Sequence, residues 1–250
     1  MPAPPADHDA MMTFPFPPLV EGTWIERRKR FMLDVALDGG ETITAHCANT
    51  GAMTGLINPG ARVLLSVSQN PKRKYAHTLE AVEAGGVFVG VNTQNPNRVA
   101  TMMARAGLAP FPPGAVRGEV RYGKAERIDL LLEPADGPRT VVENKKVHLV
   151  TTPGEASFPD SVTARGAKHL DALAAEVAAG HRAMMVFLIQ REDVALFRLA
   201  RDIDPAYGAA FDRAAAAGVA MHAIRCGVSR AGITPLGPIP IAEPSLEHAA

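Results

Sequence analysis

The chain predicts an α+β protein in two parts, a small β-barrel followed by a mixed α/β domain. Three observations carry this. Residues 19–97 read as short strands parted by turns, with few helical signals. Pro110, Pro112, Pro113 and Gly114 then punctuate the middle of the chain and mark a boundary. Beyond them, three consecutive strands lead into helix, strand, strand, helix and strand. The 250 residues, 47% of them hydrophobic, suit two modest domains or one large one. That much apolar material excludes a disordered regulator.

In the first part, the expected strands are Thr23–Ile25, Phe31–Leu37, Thr42–Cys47, Arg62–Ser68 and Gly86–Asn92. Asp38-Gly39-Gly40 and Asn58-Pro59-Gly60 supply turns, and a helical piece is expected around Thr78–Ala84. Five strands at this spacing suggest a closed or nearly closed barrel. In the second part, Val116–Tyr122, Glu126–Glu133 and Thr140–Leu149 read as strands. A helix is expected from about Val162 to Ala179, capped by Asp160 or Ser161 and ended by Gly180. Leu170, Leu173 and Val177 form its apolar stripe. Strands at Ala183–Gln190 and Val194–Leu199 follow, and then a helix with Asp204 as N-cap and Pro205 in its first position. Val219–Arg225 reads as the last strand, and the Pro-rich tail after Ile233 is expected to be irregular.

The 26 basic residues balance 26 acidic ones, so no global pull on a polyanion is expected and any such affinity must come from local clusters. Cys47 and Cys226 lie far apart and outside any CxxC pair, which argues against a structural zinc site or a disulfide scaffold. A reducing cytoplasm is the expected compartment. Residues 1–10 lack a basic n-region followed by an apolar h-region, and the run Ala183–Ile189 is too short to span a bilayer. A signal peptide and a membrane partner are therefore not expected.

The sharpest feature is Arg127-Ile128-Asp129, followed across a turn by Glu143-Asn144-Lys145. Strand alternation puts Asp129 on the face of Arg127 and Leu131, and Glu143 and Lys145 on one face between Val141 and Val147. If Glu133 and Thr140 close the hairpin, Asp129 falls opposite residue 144, one register step from Glu143 and Lys145. Two carboxylates so close repel unless a cation separates them or one is protonated. Mg²⁺ or Mn²⁺ is the usual cation for oxygen ligands. Such an ion polarises a phosphodiester and acidifies a bound water, and Lys145 could orient that water or stabilise charge on the phosphate. The bland alternative is an ion-pair network on a solvated strand face. Glu119, on the preceding strand, is a further candidate ligand, with an exposed strand residue as the favoured reading.

Two basic clusters adjoin aromatic residues: Arg27, Arg28, Lys29 and Arg30 before Phe31, and Lys72, Arg73 and Lys74 before Tyr75. On a small barrel such clusters can track a phosphate backbone while a ring stacks a base. Phe31 itself is expected to point inward. Arg165, Lys168 and His169 open the helix that follows the hairpin and could contact a scissile phosphate. For His169, a capping or surface role outweighs that of general acid. Asn49–Gly55 could offer backbone N–H groups to phosphate, but it carries no Walker A lysine, and a plain turn is an equal reading.

At this point the chain resembles the bacterial sugar fermentation stimulation protein A family over nearly its whole length. The residues that carry the resemblance include Arg28-Lys29-Arg30-Phe31, the run Cys47–Gly55, Lys72-Arg73-Lys74-Tyr75 with His77-Thr78, and Val91-Asn92-Thr93. In the second half they are Glu119-Val120-Arg121-Tyr122-Gly123, Arg127-Ile128-Asp129, Glu143-Asn144-Lys145, Phe158-Pro159-Asp160 and Lys168-His169-Leu170. The resemblance implies an OB-type nucleic-acid-binding domain over 14–97 and a PD-(D/E)xK nuclease-like domain over 98–236. It also implies DNA binding without strong sequence preference, and a regulatory link to sugar (maltose) metabolism. The nuclease pattern falls on Asp129, Glu143 and Lys145. The chain departs from the family at Asn144, Lys146 and Ala167, and the missing polar side chain at 167 weakens any helix-borne contribution to the site.

The expected function is thus a cytoplasmic DNA-binding protein with a metal-dependent nuclease centre. Asp129 and Glu143 would hold Mg²⁺ or Mn²⁺ together with the Asn144 carbonyl, and Lys145 would position water. The runner-up is a non-specific DNA-binding regulator that cuts nothing. A third reading, an enzyme acting on a small phosphorylated sugar, has no sequence feature of its own. DNA against RNA, single strand against duplex, and monomer against homodimer are left open.

Overall fold

The computed structural model describes residues 12–122 and 126–247. The leader reading of residues 1–10, and Gly123 of the family resemblance, fall outside them. The first half contains β1 (Phe14–Pro15), β2 (Leu19–Arg28), β3 (Met32–Leu37), β4 (Thr42–His46), β5 (Arg62–Val67), β6 (His77–Ala84) and β7 (Val87–Gly90). Strands β2 to β6 form a five-stranded barrel in the order β4-β3-β2-β5-β6, closed by the pairing of His46 with Thr78. β2 serves two neighbours: its first half pairs with β5, and the strand pairs with β3 along most of its length, with a register shift between Trp24 and Glu26. Such an irregularity lets a long strand bend into a closed sheet. Gly22 permits the tight approach of β3, since a Cβ there would stand 2.5 Å from the Ala36 carbonyl oxygen. Trp24, Leu33, Val35, Cys47, Val63, Leu65 and Leu79 fill the interior.

The helix expected at Thr78–Ala84 is instead β6, the strand that closes the barrel. Its two faces are both buried: Leu79 and Val82 point into the barrel, while Ala81 packs outward against the second half. Burial on both sides erases the period-2 signal, and pairing with β5 overrides the local helix preference of Leu, Glu and Ala. Gly86–Asn92 contributes only the hairpin strand β7 beyond the closure.

The second half contains α1 (Asn95–Arg105), β8 (Ala115–Tyr122), β9 (Glu126–Glu133), β10 (Thr140–Val147), β11 (Leu149–Thr152), β12 (Glu155–Phe158), α2 (Ala164–Ala178), β13 (Arg182–Ile189), β14 (Leu196–Leu199), α3 (Pro205–Ala216), β15 (Ala220–Ser229), β16 (Gly232–Pro238) and α4 (Pro244–Glu247). A seven-stranded sheet has the order β1-β16-β15-β13-β10-β9-β8, with β10, β13 and β15 mutually parallel. α2 and α3 cover one face through Leu170, Leu173, Tyr207 and Phe211. α1 and the barrel cover the other, where Leu64 and Ala81 of the barrel share a core with Val99, Leu130 and Val142. A small sheet, β11-β12-β14, extends one end.

Three expectations are corrected here, and one further element was not expected. The strand Thr140–Leu149 breaks at His148 into β10 and β11. The N-cap of α2 is Thr163, whose Oγ1 accepts from Gly166 N at 3.1 Å, rather than Asp160 or Ser161. The tail after Ile233 continues as strand to Pro238; Pro235 and Pro238 are tolerated there because the outer neighbour, β1, spans only two residues. The unexpected α1 buries Val99, Ala100, Met103 and Ala104 as one stripe, with a proline in its first turn. Asp204 caps α3 as expected, accepting from Tyr207 N at 2.9 Å. Both cysteines are free and buried, and among the described residues no helix is long and apolar enough to cross a membrane.

Two buried polar contacts sit between the barrel and the second half. Glu80 of β6, 4% exposed, accepts from Ser66 Oγ at 2.7 Å, Asn92 Nδ2 at 3.0 Å and Asn95 Nδ2 at 2.9 Å, tying the start of α1 to the barrel. Lys146 Nζ approaches the Gly90 carbonyl at 3.5 Å and His148 Nδ1 at 3.2 Å. Burial pushes the Lys146 amine down to about 8. Burial first, then the charges of Lys146 and Arg191, hold the His148 imidazole well below its ordinary value of 6.5.

Two predictions follow from these contacts. Glu80→Ala strands three donors and should lower stability by about 3 kcal/mol in denaturant titration; a change within error would show that the network is dispensable. His148 is neutral when folded, while the unfolded imidazole takes up a proton below its ordinary value. Its contribution is therefore intact above about pH 6.5 and drains away as pH falls, by up to ~1.4 kcal/mol per pH unit. His148→Gln, which keeps an acceptor for Lys146, should flatten the acid limb of stability between about pH 6.5 and 5. An unchanged slope would assign that limb to other groups.

Candidate active site

β9 and β10 pair from Leu132–Thr140 to Leu130–Val142, where the recorded ladder ends. This register differs by one residue from the expected closure of Glu133 on Thr140: Thr140 pairs with Leu132, and Glu133, the last residue of β9, pairs with Ala115 of β8. The next residue on β9 is Asp129 and the next on β10 is Glu143, so the two carboxylates stand where the strands part. β10 continues beside β13, with Glu143 paired to Met185. Beyond the parting, the Asp129 side chain spans the gap: Oδ2 accepts from Asn144 N at 2.8 Å and Oδ1 from Asn97 Nδ2 at 2.7 Å. Asn144 Nδ2 in turn donates to Asn97 Oδ1 at 3.3 Å, while the buried Asn144 Oδ1 finds no partner among the described residues.

Glu143 and Lys145 share a face, as the alternation requires, and that face lies under α2. Lys145 Nζ donates to Glu143 Oε1 at 2.7 Å, and His169 Nδ1 also bonds this oxygen. Arg165 Nε donates to His169 Nε2 at 3.2 Å. That assignment leaves the ring proton on Nδ1, facing Glu143. The His169 and Lys145 contacts overcome the upward push of burial and hold Glu143 below its ordinary value. Asp129 moves the other way: burial and then the charge of Glu143 raise it, against hydrogen bonds from Asn144 and Asn97. Neighbouring carboxyls with opposed shifts mark a site poised for acid–base or cation chemistry.

A cleft of about 520 Å³ opens over this group, lined by Asp129, Glu143, Asn144, Lys145, Lys146, Arg165 and His169 among others. Glu119 and Arg127 stand on its rim, forming an exposed ion pair at 3.6 Å. Glu119 falls opposite Asp129 in the β8–β9 register, with a left-handed φ of +49°. Lys168 is exposed on α2 and does not line the cleft. The donor set is two carboxylates plus the Asn144 backbone carbonyl, hard oxygens suited to a divalent cation such as Mg²⁺ or Mn²⁺. Among the described residues no group of three or more His, Cys, Asp or Glu side chains gathers as a complete metal set. Water or a phosphate oxygen would have to complete the shell.

The basic clusters lie on the barrel and are brought together there. Tyr75 OH donates to Met32 Sδ at 3.0 Å, joining the loop that carries Lys72, Arg73 and Lys74 to the β2–β3 turn. Lys74 sits over the Tyr75 ring, 5.5 Å from its centroid. Arg73 donates to Thr78 Oγ1 at 3.1 Å. Arg27 is occupied with the carbonyls of Arg30, Asn49 and Gly51, and Arg28 pairs with Asp34 at 2.7 Å. Lys29 and Arg30 form the exposed tip, both with positive φ. Phe31 does not point inward: at 40% exposure it stands beside these cations, because the tip lifts it off the barrel core. The Asn49–Gly55 segment turns on itself, Gly51 N donating to Asn49 Oδ1 at 2.9 Å. Asn97 is the site residue that the sequence reading missed, since it belongs to the unexpected α1.

Comparison with known proteins follows the same division. Residues 25–91 match the model of the SfsA N-terminal OB domain, and 94–232 match that of the sugar fermentation stimulation protein RE domain. Sugar fermentation stimulation protein homologs from Brucella ovis and Brucella melitensis are 52% and 51% identical over 232 residues, 92% of this chain and 97% of each relative. The solved structure of Pyrococcus furiosus SfsA, described as a complex with Ca²⁺, superposes with a TM-score of 0.84 at 25% identity. The match covers 94% of this chain and all of that one. An OB barrel followed by a mixed α/β domain, matched over both halves, makes this chain a member of the sugar fermentation stimulation protein family.

Proposed function

We propose that the protein binds DNA without strong sequence preference and hydrolyses phosphodiester bonds at the cleft where β9 and β10 part. One observation carries this reading: the half-buried Asp129 and the buried Glu143 stand side by side, with Lys145 on the face of Glu143. The Ca²⁺ in the Pyrococcus relative supports it, since Ca²⁺ also takes oxygen ligands. Asp129, Glu143 and the Asn144 carbonyl would hold the cation. When bound, Mg²⁺ or Mn²⁺ supplies Lewis acidity to the phosphate and to water. The remaining roles belong to the chain. Asn97 and the Asn144 N–H orient the Asp129 carboxylate, and His169 orients that of Glu143. Lys145, an ammonium at the cleft, positions water and offsets charge that develops on phosphate. Arg165 at the start of α2 faces the same space. The barrel, with Arg28, Lys29, Arg30 and Lys72, Arg73, Lys74, holds the nucleic acid. Buried free thiols suit a cytoplasmic setting.

A second reading, a DNA-binding regulator without catalysis, is favoured by one feature. Both Asp129 oxygens and Glu143 Oε1 are engaged by protein donors, so the site is internally satisfied.

The deciding experiment incubates labelled single-stranded and duplex DNA and RNA with Mg²⁺, Mn²⁺ or EDTA. Cleavage should require the metal and fall at least ~100-fold in Asp129→Ala and Lys145→Ala, with both variants folded and binding retained. Binding without cleavage under every metal selects the regulator. A companion measurement needs no substrate. Millimolar Mn²⁺ should raise the thermal midpoint of the wild type and leave Glu143→Gln unmoved, because only a ligand of the folded state stabilises it. Equal shifts in both would place the cation elsewhere.

A further inference from the structure

Three depressions share walls along α1. Arg73 of the barrel loop, with Gln94 and Arg98, lines one of about 400 Å³. Gln94 and Arg98 also line a larger one, about 930 Å³, which extends along α1 to Arg105 and reaches Asp129. Asn97 and Asp129 are common to that space and to the carboxylate cleft. The three depressions thus adjoin one another along α1, a trough that leads from the barrel loop to Asp129 and Glu143.

The chemistry of the trough is specific. Arg98 and Arg105 are exposed and seven residues apart, which stacks them on one helix face about 10 Å apart along the axis. Among the described residues neither pairs with a carboxylate; Arg98 donates to Gln94 Oε1 at 3.0 Å. Facing them are Met12, 44% exposed, and Phe14, with Met102 between the two arginines. The acidic groups lining the three depressions are Asp129, Glu143, the buried Glu80 and Glu119, the last paired with Arg127. A wall of guanidinium groups opposite a wall of apolar faces suits a polyanion whose flat, apolar parts are uncovered. A duplex keeps its bases stacked and would offer such a site only phosphates; an unpaired strand offers both.

We propose that α1 is a nucleic-acid-binding element and that a single strand lies along it. Arg98 and Arg105 take its phosphates, and Met12 and Phe14 pack against its bases. The strand passes Asp129 and Glu143 on one side and reaches Arg73 on the barrel. This rests on the nucleic-acid reading above and specifies its form and route.

The test is anisotropy titration of the full chain, in EDTA, with a fluorescent single-stranded oligonucleotide and a blunt duplex of equal length, over a series of salt concentrations. Arg98→Ala/Arg105→Ala should weaken single-strand binding about tenfold or more and reduce the salt slope by about 1.4, two phosphate contacts' worth. Met12→Ala should weaken binding with the slope unchanged. Arg213→Ala removes the same charge on α3, where Arg213 pairs with Asp171, and should change nothing. Wild-type binding that the double variant leaves intact overturns the α1 route and spares the nucleic-acid reading. A wild type that binds neither oligonucleotide sinks both. A duplex bound as tightly as the single strand, and equally weakened by the double variant, overturns the single-strand assignment.

Discussion

The parting of β9 from β10 after the Leu130–Val142 pair is the constraint on which the rest of the molecule turns. A sheet that stayed zipped would press the like charges of Asp129 and Glu143 together with nothing between them. By separating there, the strands open a cleft, and Asp129 satisfies the Asn144 N–H with its side chain. The cost appears in the electrostatics. Asp129 is held at a raised pKa by burial and by Glu143, while Glu143 stays ionised through His169 and Lys145. A fold optimised for stability alone would have no reason to keep this pair.

α1 links that site to the barrel. Its start is fastened to the barrel by Asn92 and Asn95 on the buried Glu80, and two residues later Asn97 reaches Asp129. The outer face of the barrel and one face of the large sheet share a single core through Leu64, Ala81, Val99 and Leu130. The carboxylate cleft and the basic surface of the barrel are therefore parts of one packed body. That arrangement gives the trough along α1 its fixed walls.

Two residues near the site have physical roles of their own, Lys146 at the cleft and Ala167 on α2. Lys146 carries its amine into the seam between the halves, against the Gly90 carbonyl and His148, and lines the cleft as well. Burial lowers its basicity. Ala167 packs against the α2–α3 core, and the polar contribution of this helix comes instead from Arg165 and His169.

Much of this was legible from residue order alone. Strand alternation sufficed to put Glu143 and Lys145 on one face, because a period of two leaves no freedom within a strand; that Asp129 stands level with Glu143 was settled by the register, which differs by one residue from the expected closure. Asp204 and Pro205 marked the start of α3, since capping is a local matter. Other features depended on partners far away in the chain. β6 reads as helix until β5 and β4 pair with it and both its faces are buried, and the Pro-rich β16 becomes strand only beside β15 and β1. The outward turn of Phe31 and the meeting of the two basic clusters depend on how the barrel closes. Asn97 was invisible as a site residue for the same reason: its role exists only because α1 packs across the parted strands. Local chemistry and periodicity are written in consecutive residues. The register, the closure of the barrel and the seam between the halves were decided by burial and hydrogen bonding between distant segments.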